Sequence, residues 1–153
     1  MARLGRRIQV LVFILLLLSI TTPAHSRTDA QLDSRLRATI ASVRSAKSAS
    51  ARQDTAEQLL ILTSKSRPGS VTDSTVADLI ALLDEPDDSV RAFVAGALGN
   101  LHAKAAIPKL LALLPTADCL EGTLTSARPI RSALERMGVN PPAPSYNECY
   151  RPK

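Results

Sequence analysis

The chain has no tryptophan and only two phenylalanines and two tyrosines in 153 residues. Recognition of sugars or unpaired bases by aromatic stacking therefore has little to work with. Two histidines and two cysteines are too few, and too scattered, for a four-ligand zinc site. The sequence also lacks a phosphate-binding Gly-rich loop, a Gly-x-Ser-x-Gly elbow and a His-Glu-x-x-His helix. Nothing implies a cofactor, and an enzyme activity has no residues to rest on. No stretch alternates with a period of two, so strands are not expected either. The fold class read from the sequence is all-α.

A long hydrophobic run occurs only at the start. Arg3, Arg6 and Arg7 precede the apolar stretch Ile8 to Ile20, and Ala24-His25-Ser26 supplies a small-x-small site. Residues 1–26 read as a signal peptide cut after Ser26. The apolar stretch is shorter than the roughly 20 residues a membrane span needs, so no stable anchor is expected after cleavage. Cleavage removes three of the 19 basic residues and none of the 14 acidic ones, leaving a net charge of +2. The high sequence pI of about 9.7 thus belongs largely to the leader, and a nucleic-acid partner loses its electrostatic basis. The expected location is secreted or periplasmic.

In such a compartment thiols oxidise, and Cys119 and Cys149 are expected to form one disulfide. It would close a loop of about 30 residues and contribute roughly 3–4 kcal/mol by the chain-entropy argument. The tail it would hold, from residue 139 onward, contains Pro141, Pro142, Pro144 and Pro152 and cannot continue a helix.

Between leader and tail, residues 27–138 carry a helical period throughout. Leu32, Leu36, Ile40 and Val43 mark a first amphipathic helix over residues 29–48; Ala56, Leu59, Leu60 and Thr63 mark a second. Pro68 and Gly69 break the chain. Val76, Leu79, Ile80 and Leu83 then recur at i, i+3, i+4 and i+7, followed by Pro86 as a stop and Asp87 or Asp88 as an N-cap. Val90, Phe93, Val94, Ala97, Leu98 and Leu101 form the next stripe. Ile107, Leu110, Leu111 and Leu114 form another, closed by Pro115, and Ile130, Ala133, Leu134 and Met137 a last one, ended by Gly138.

Two of these helical hairpins repeat one another. "LIALL" at 79–83 returns as "LLALL" at 110–114, and "AL" at 97–98 returns at 133–134, offsets of 31 and 36 residues that differ by an insertion carrying Cys119. Helical hairpins of this period bury their apolar faces by stacking on neighbours, and about three such units make a stable array. Residues 29–64 would supply the third.

The stretch Val76 to Leu101, "VADLIALLDEPDDSVRAFVAGALGNL", resembles the HEAT-like repeats first named from phycobilisome lyases, with Pro86, Asp87, Val90, Arg91, Ala95, Ala97, Leu98 and Gly99 at the pattern positions. The resemblance implies a short α-solenoid of about three helical hairpins, and it assigns Asp87 and Arg91 to linking adjacent units. The unit at 103–138 departs from the pattern: it has no Asp-Pro-Asp turn, and Arg128 stands one place off the Val-Arg register. Lyases of that kind work inside the cell, so their activity is not carried over to an exported chain.

Remaining chemistry is sparse. After cleavage the one histidine is His102, in an inter-helix turn, where it reads as a capping or solvent-facing residue; a Cys119–His102 dyad competes with the better use of Cys119 in a disulfide. The acidic run Asp84, Glu85, Asp87 and Asp88 lacks the glycine and distal glutamate of a calcium loop and reads as a capped turn. No metal site is expected. Since HEAT-like arrays present their second helices on the concave side, the resemblance implies that Gln53, Glu57, Asn100, Arg128, Arg131, Ser132, Glu135 and Arg136 face a partner. Arg128, Arg131 and Arg136 form a basic edge suited to an acidic protein. The expectation is a monomeric, non-catalytic, exported protein-binding or scaffold module, with an inhibitor or immunity protein as the alternative and a prosthetic-group lyase behind it.

Overall fold

The computed structural model describes residues 24–118 and 126–143, and all regular structure among them is helical. Six α-helices follow one another there: α1 (Ala24–Ser45), α2 (Ala49–Thr63), α3 (Asp73–Ala81), α4 (Asp88–Asn100), α5 (Ile107–Asp118) and α6 (Ala127–Arg136). A 3₁₀ turn, Leu82–Asp84, extends α3, and another, Lys104–Ala106, introduces α5.

Local chemistry explains most of these boundaries. Ser48 caps α2 by accepting from the Ala51 amide at 3.1 Å, and Thr72 caps α3 through Thr75 at 3.4 Å. Asp87 caps α4, accepting from the amides of Ser89 at 2.9 Å and Val90 at 3.4 Å. Each satisfies amides that the first turn leaves unpaired. Pro129 is the third residue of α6, where its missing N–H costs no intrahelical bond.

Three expected boundaries differ. The first helix begins at Ala24, not at residue 29, and ends at Ser45, not at residue 48, because Ser48 is spent as the N-cap of α2. Pro115 does not close α5, which continues through it to Asp118. The forfeited bond would have gone to the carbonyl of Leu111, an exposed residue, so the ring sits on the solvent side, where water can take the carbonyl.

The helices pack as three successive antiparallel pairs, α1–α2, α3–α4 and α5–α6. The second members lie side by side, α2 against α4 and α4 against α6, while α1 contacts α3 on the other side. Leucine dominates the interior: Leu36, Leu59, Leu79, Leu83, Leu98, Leu110, Leu114 and Leu134 are fully buried or nearly so, with Ile40, Val43, Val90, Val94 and Ile130 among them. Phe93 is half-buried at the margin. The middle helix is closely embraced. A Cβ on Gly99 would lie 2.8 Å from the Cα of Ala133, and one on Gly96 2.8 Å from Cδ1 of Leu60. The small residues of "AFVAGALG" therefore serve packing within the chain.

Candidate interaction face on the second helices

The row α2–α4–α6 is tied together at both ends by side chains. At one end, Asp87 takes a hydrogen bond from Nε2 of Gln53 on α2 at 2.9 Å. Its neighbour Asp88 reaches the other way, accepting from the backbone N–H and the hydroxyl of Ser126, each at 2.6 Å. Ser126 is fully buried and precedes α6 without capping its own helix; Asp88 of α4 satisfies its N–H and hydroxyl from across the junction. At the other end, Asn100 donates to Oγ1 of Thr63 at 3.2 Å and accepts from Nη1 of Arg136. This second ladder runs Thr63, Asn100, Arg136 across all three helices. Asn100 and Arg136 stand 36 residues apart, the spacing that relates Ala97 to Ala133.

Burial opposes the charge on Asp87. The Gln53 amide, the Ser89 and Val90 N–H groups and the Arg52 guanidinium outweigh it and hold the carboxyl below the usual aspartate value. Arg91, expected to link units, bonds within its own turn: Nη1 donates to the carbonyls of Glu85 at 2.7 Å and Pro86 at 3.1 Å, and Nη2 pairs with Asp88 at 2.9 Å. It thereby orients the carboxylate that holds Ser126.

The residues expected to face a partner divide accordingly. Asn100 and Arg136 hold each other, and Gln53 holds Asp87. Arg131 donates through Nη1 to the carbonyl of Pro142, drawing the start of the tail back along α6. Arg128 and Glu135 are exposed, Ser132 is half-buried, and Glu57 projects from α2. Cys119 and Cys149 lie outside the described residues, as does the leader up to residue 23. The periodicity places Thr63 on the inner face of its helix but does not show that it meets Asn100, nor that Asp88 meets Ser126; these pairings depend on how one helix is rotated against the next.

An open groove of about 570 Å³ between α1 and α2 is lined by Arg35, Thr39, Ser42, Asp54, Thr55, Gln58 and others. Its hydroxyls are committed to their own helices: Thr39 donates to the Arg35 carbonyl, Ser42 to Ala38 and Thr55 to Ala51. Among the described residues there is no group of three or more His, Cys, Asp or Glu placed to hold a metal ion, and no helix is long and apolar enough to cross a membrane. No protein-family profile, curated protein or solved structure matches this chain.

Proposed function

We propose that the protein is an exported, non-catalytic binding module: a short HEAT-like α-solenoid of three helical pairs whose second helices offer one continuous face to an acidic protein partner. The observation that carries this reading is the row α2–α4–α6, a surface assembled from three separate pairs and cross-tied at both ends. Such cross-ties keep distant residues in fixed relation, which is what recognition of a folded partner requires. Arg128, with Arg131 beside it on α6, supplies the positive edge. The leader is removed after Ser26, and a Cys119–Cys149 disulfide ties down the tail that Arg131 already draws toward α6.

The test separates binding from stability. The chain from Arg27 onward, produced in an oxidising compartment, is used as crosslinking bait in the exported protein fraction of its own organism, beside the Arg128→Glu variant. Arg131 and Arg136 are left intact because they hold Pro142 and Asn100. A stoichiometric partner captured by the parent and lost in the variant, with unchanged urea midpoint, is the expected result. Absence of a partner for both proteins overturns the reading. If the captured partner is an exported hydrolase that the protein inhibits stoichiometrically, the module is an inhibitor and not a scaffold.

A further inference from the structure

The junctions between successive helical pairs share one kind of acceptor. Between the first and second pairs, Asp33 of α1 accepts from the backbone N–H and the hydroxyl of Thr72, both at 2.9 Å. Asp87 accepts from Gln53, Asp78 from Arg44 at 3.0 Å, and Glu85 lies 3.8 Å from Arg52. Between the second and third pairs, Asp88 holds Ser126 and Asp84 pairs with Lys109. The cross-junction bonds that need no carboxylate are those of Arg37 to the hydroxyls of Thr72, Ser74 and Thr75, of Arg44 to the Asp78 carbonyl, and the Thr63–Asn100–Arg136 ladder with the neighbouring Leu60 carbonyl. The helices, by contrast, rest on backbone bonds that do not titrate.

We propose that these carboxylates make the junctions acid-responsive, so that on protonation the helical pairs loosen against one another while the helices themselves persist. The inference concerns the stack alone and stands apart from the binding reading. A protonated carboxyl gives up its charge-assisted bonds, and at Ser126 it would leave a buried N–H and hydroxyl on a weakened acceptor. The surroundings set the direction. Asp33 faces Arg37 on its own helix and Thr72 and Thr75 on α3, with Asp29 lining the same groove. Asp87 faces Gln53 and Arg52 on α2, the amides of Ser89 and Val90, and neighbouring Asp88; Asp88 faces Arg91 and Ser126.

Burial raises the Asp33 and Asp87 values, but hydrogen bonds and the nearby guanidinium groups of Arg37 and Arg52 outweigh it, and both carboxyls sit below the ordinary aspartate value. Their contribution is therefore complete above the unfolded aspartate pKa of about 3.9 and is lost as the pH falls through the lower folded value. The window lies below about pH 4. Compact acid states that keep helices while losing fixed packing have this character.

The experiment is an amide NMR titration of the isotopically labelled full-length chain, with hydrogen exchange and far-UV circular dichroism on the same samples. The Thr72 amide should shift with the titration of Asp33. At the acid end, protection factors for α2 and α6 residues facing α4 should fall at least tenfold while the helical signal remains. Asp33→Asn and Asp88→Asn should reproduce part of that fall at neutral pH, and Asp33→Asn should abolish the titration of the Thr72 amide. Simultaneous loss of helix signal and junction protection in the parent chain, or junction protection unchanged in acid, overturns the proposal even if neither variant folds.

Discussion

The middle helix α4 and the end helix α6 are the second members of successive pairs, and they live in different surroundings. Both end in the same motif. After α4 the amide of Ala103 returns to the Leu98 carbonyl at 3.0 Å and that of His102 to Gly99 at 3.1 Å; after α6, Val139 returns to Leu134 and Gly138 to Glu135, each at 2.9 Å. Such a reversal needs one residue in the left-handed region. At the end of α6 that residue is Gly138, with φ of 84°, and at the end of α4 it is His102, with φ of 51°. The helix flanked on both sides thus tolerates a residue that disfavours its turn, while the helix that among the described residues is flanked on one side has the residue that suits it. Packing on two faces over-determines the backbone of α4, and the local preference is overridden.

Core truncation is the most severe way to break the parallel. Leu98 and Leu134 are equivalent and both fully buried, so Leu→Ala at either position should cost about 2–5 kcal/mol. The larger loss is expected at Leu98, because the middle helix has neighbours on both sides and its surroundings can collapse less into the cavity. Urea unfolding of the two single variants decides it, and equal losses would show that α6 is held as firmly as α4. A smaller effect is expected from Gly99→Ala. Its new methyl would meet the backbone and Cβ of Ala133 at under 3 Å, so α6 must shift, at a cost of about 1–3 kcal/mol. Exchange protection should fall in α6 and hold in α2, which contacts the opposite side of α4.

Much of this architecture is visible in the sequence, and the reason is periodicity. Leu79, Leu83, Val90, Val94, Leu98, Leu110, Leu114, Ile130 and Leu134 stand out by their spacing, and all are buried. Gly138 announces the end of the last helix. Other features leave no periodic trace. The apolar run Leu59 to Leu62 leaves Ile61 53% exposed, since a helix lined with leucine on every side does not say which side faces inward. Asn100 and Arg136 fall on the polar face of their helices and read as free, yet they meet each other. Asp88 reads as one of two candidate N-caps in an acidic turn; Asp87 is the cap, and the hold of Asp88 on Ser126 depends on the rotation of α4 against α6. Polar pairs between neighbouring helices are products of tertiary geometry, and a single sequence carries the partners without the angle that joins them.

The mildest test exchanges the residues at the two turns. A non-glycine residue in the left-handed region costs roughly 1–2 kcal/mol, and glycine returns about 0.5–1 kcal/mol of that through the greater freedom of its unfolded chain. His102→Gly should therefore raise the unfolding free energy by about 0.5–1 kcal/mol. Gly138→Ala should lower it by a similar amount, since a Cβ at Gly138 would meet nothing within 4 Å and only the backbone strain remains. His102 is exposed, and its side chain makes no hydrogen bond or ion pair among the described residues, so its removal takes away little besides strain. Matched thermal or urea unfolding of the two variants would yield opposite shifts of comparable size. If His102→Gly instead destabilises the protein, the imidazole supports the turn in some other way, and the two helix ends are less alike than their hydrogen bonds indicate.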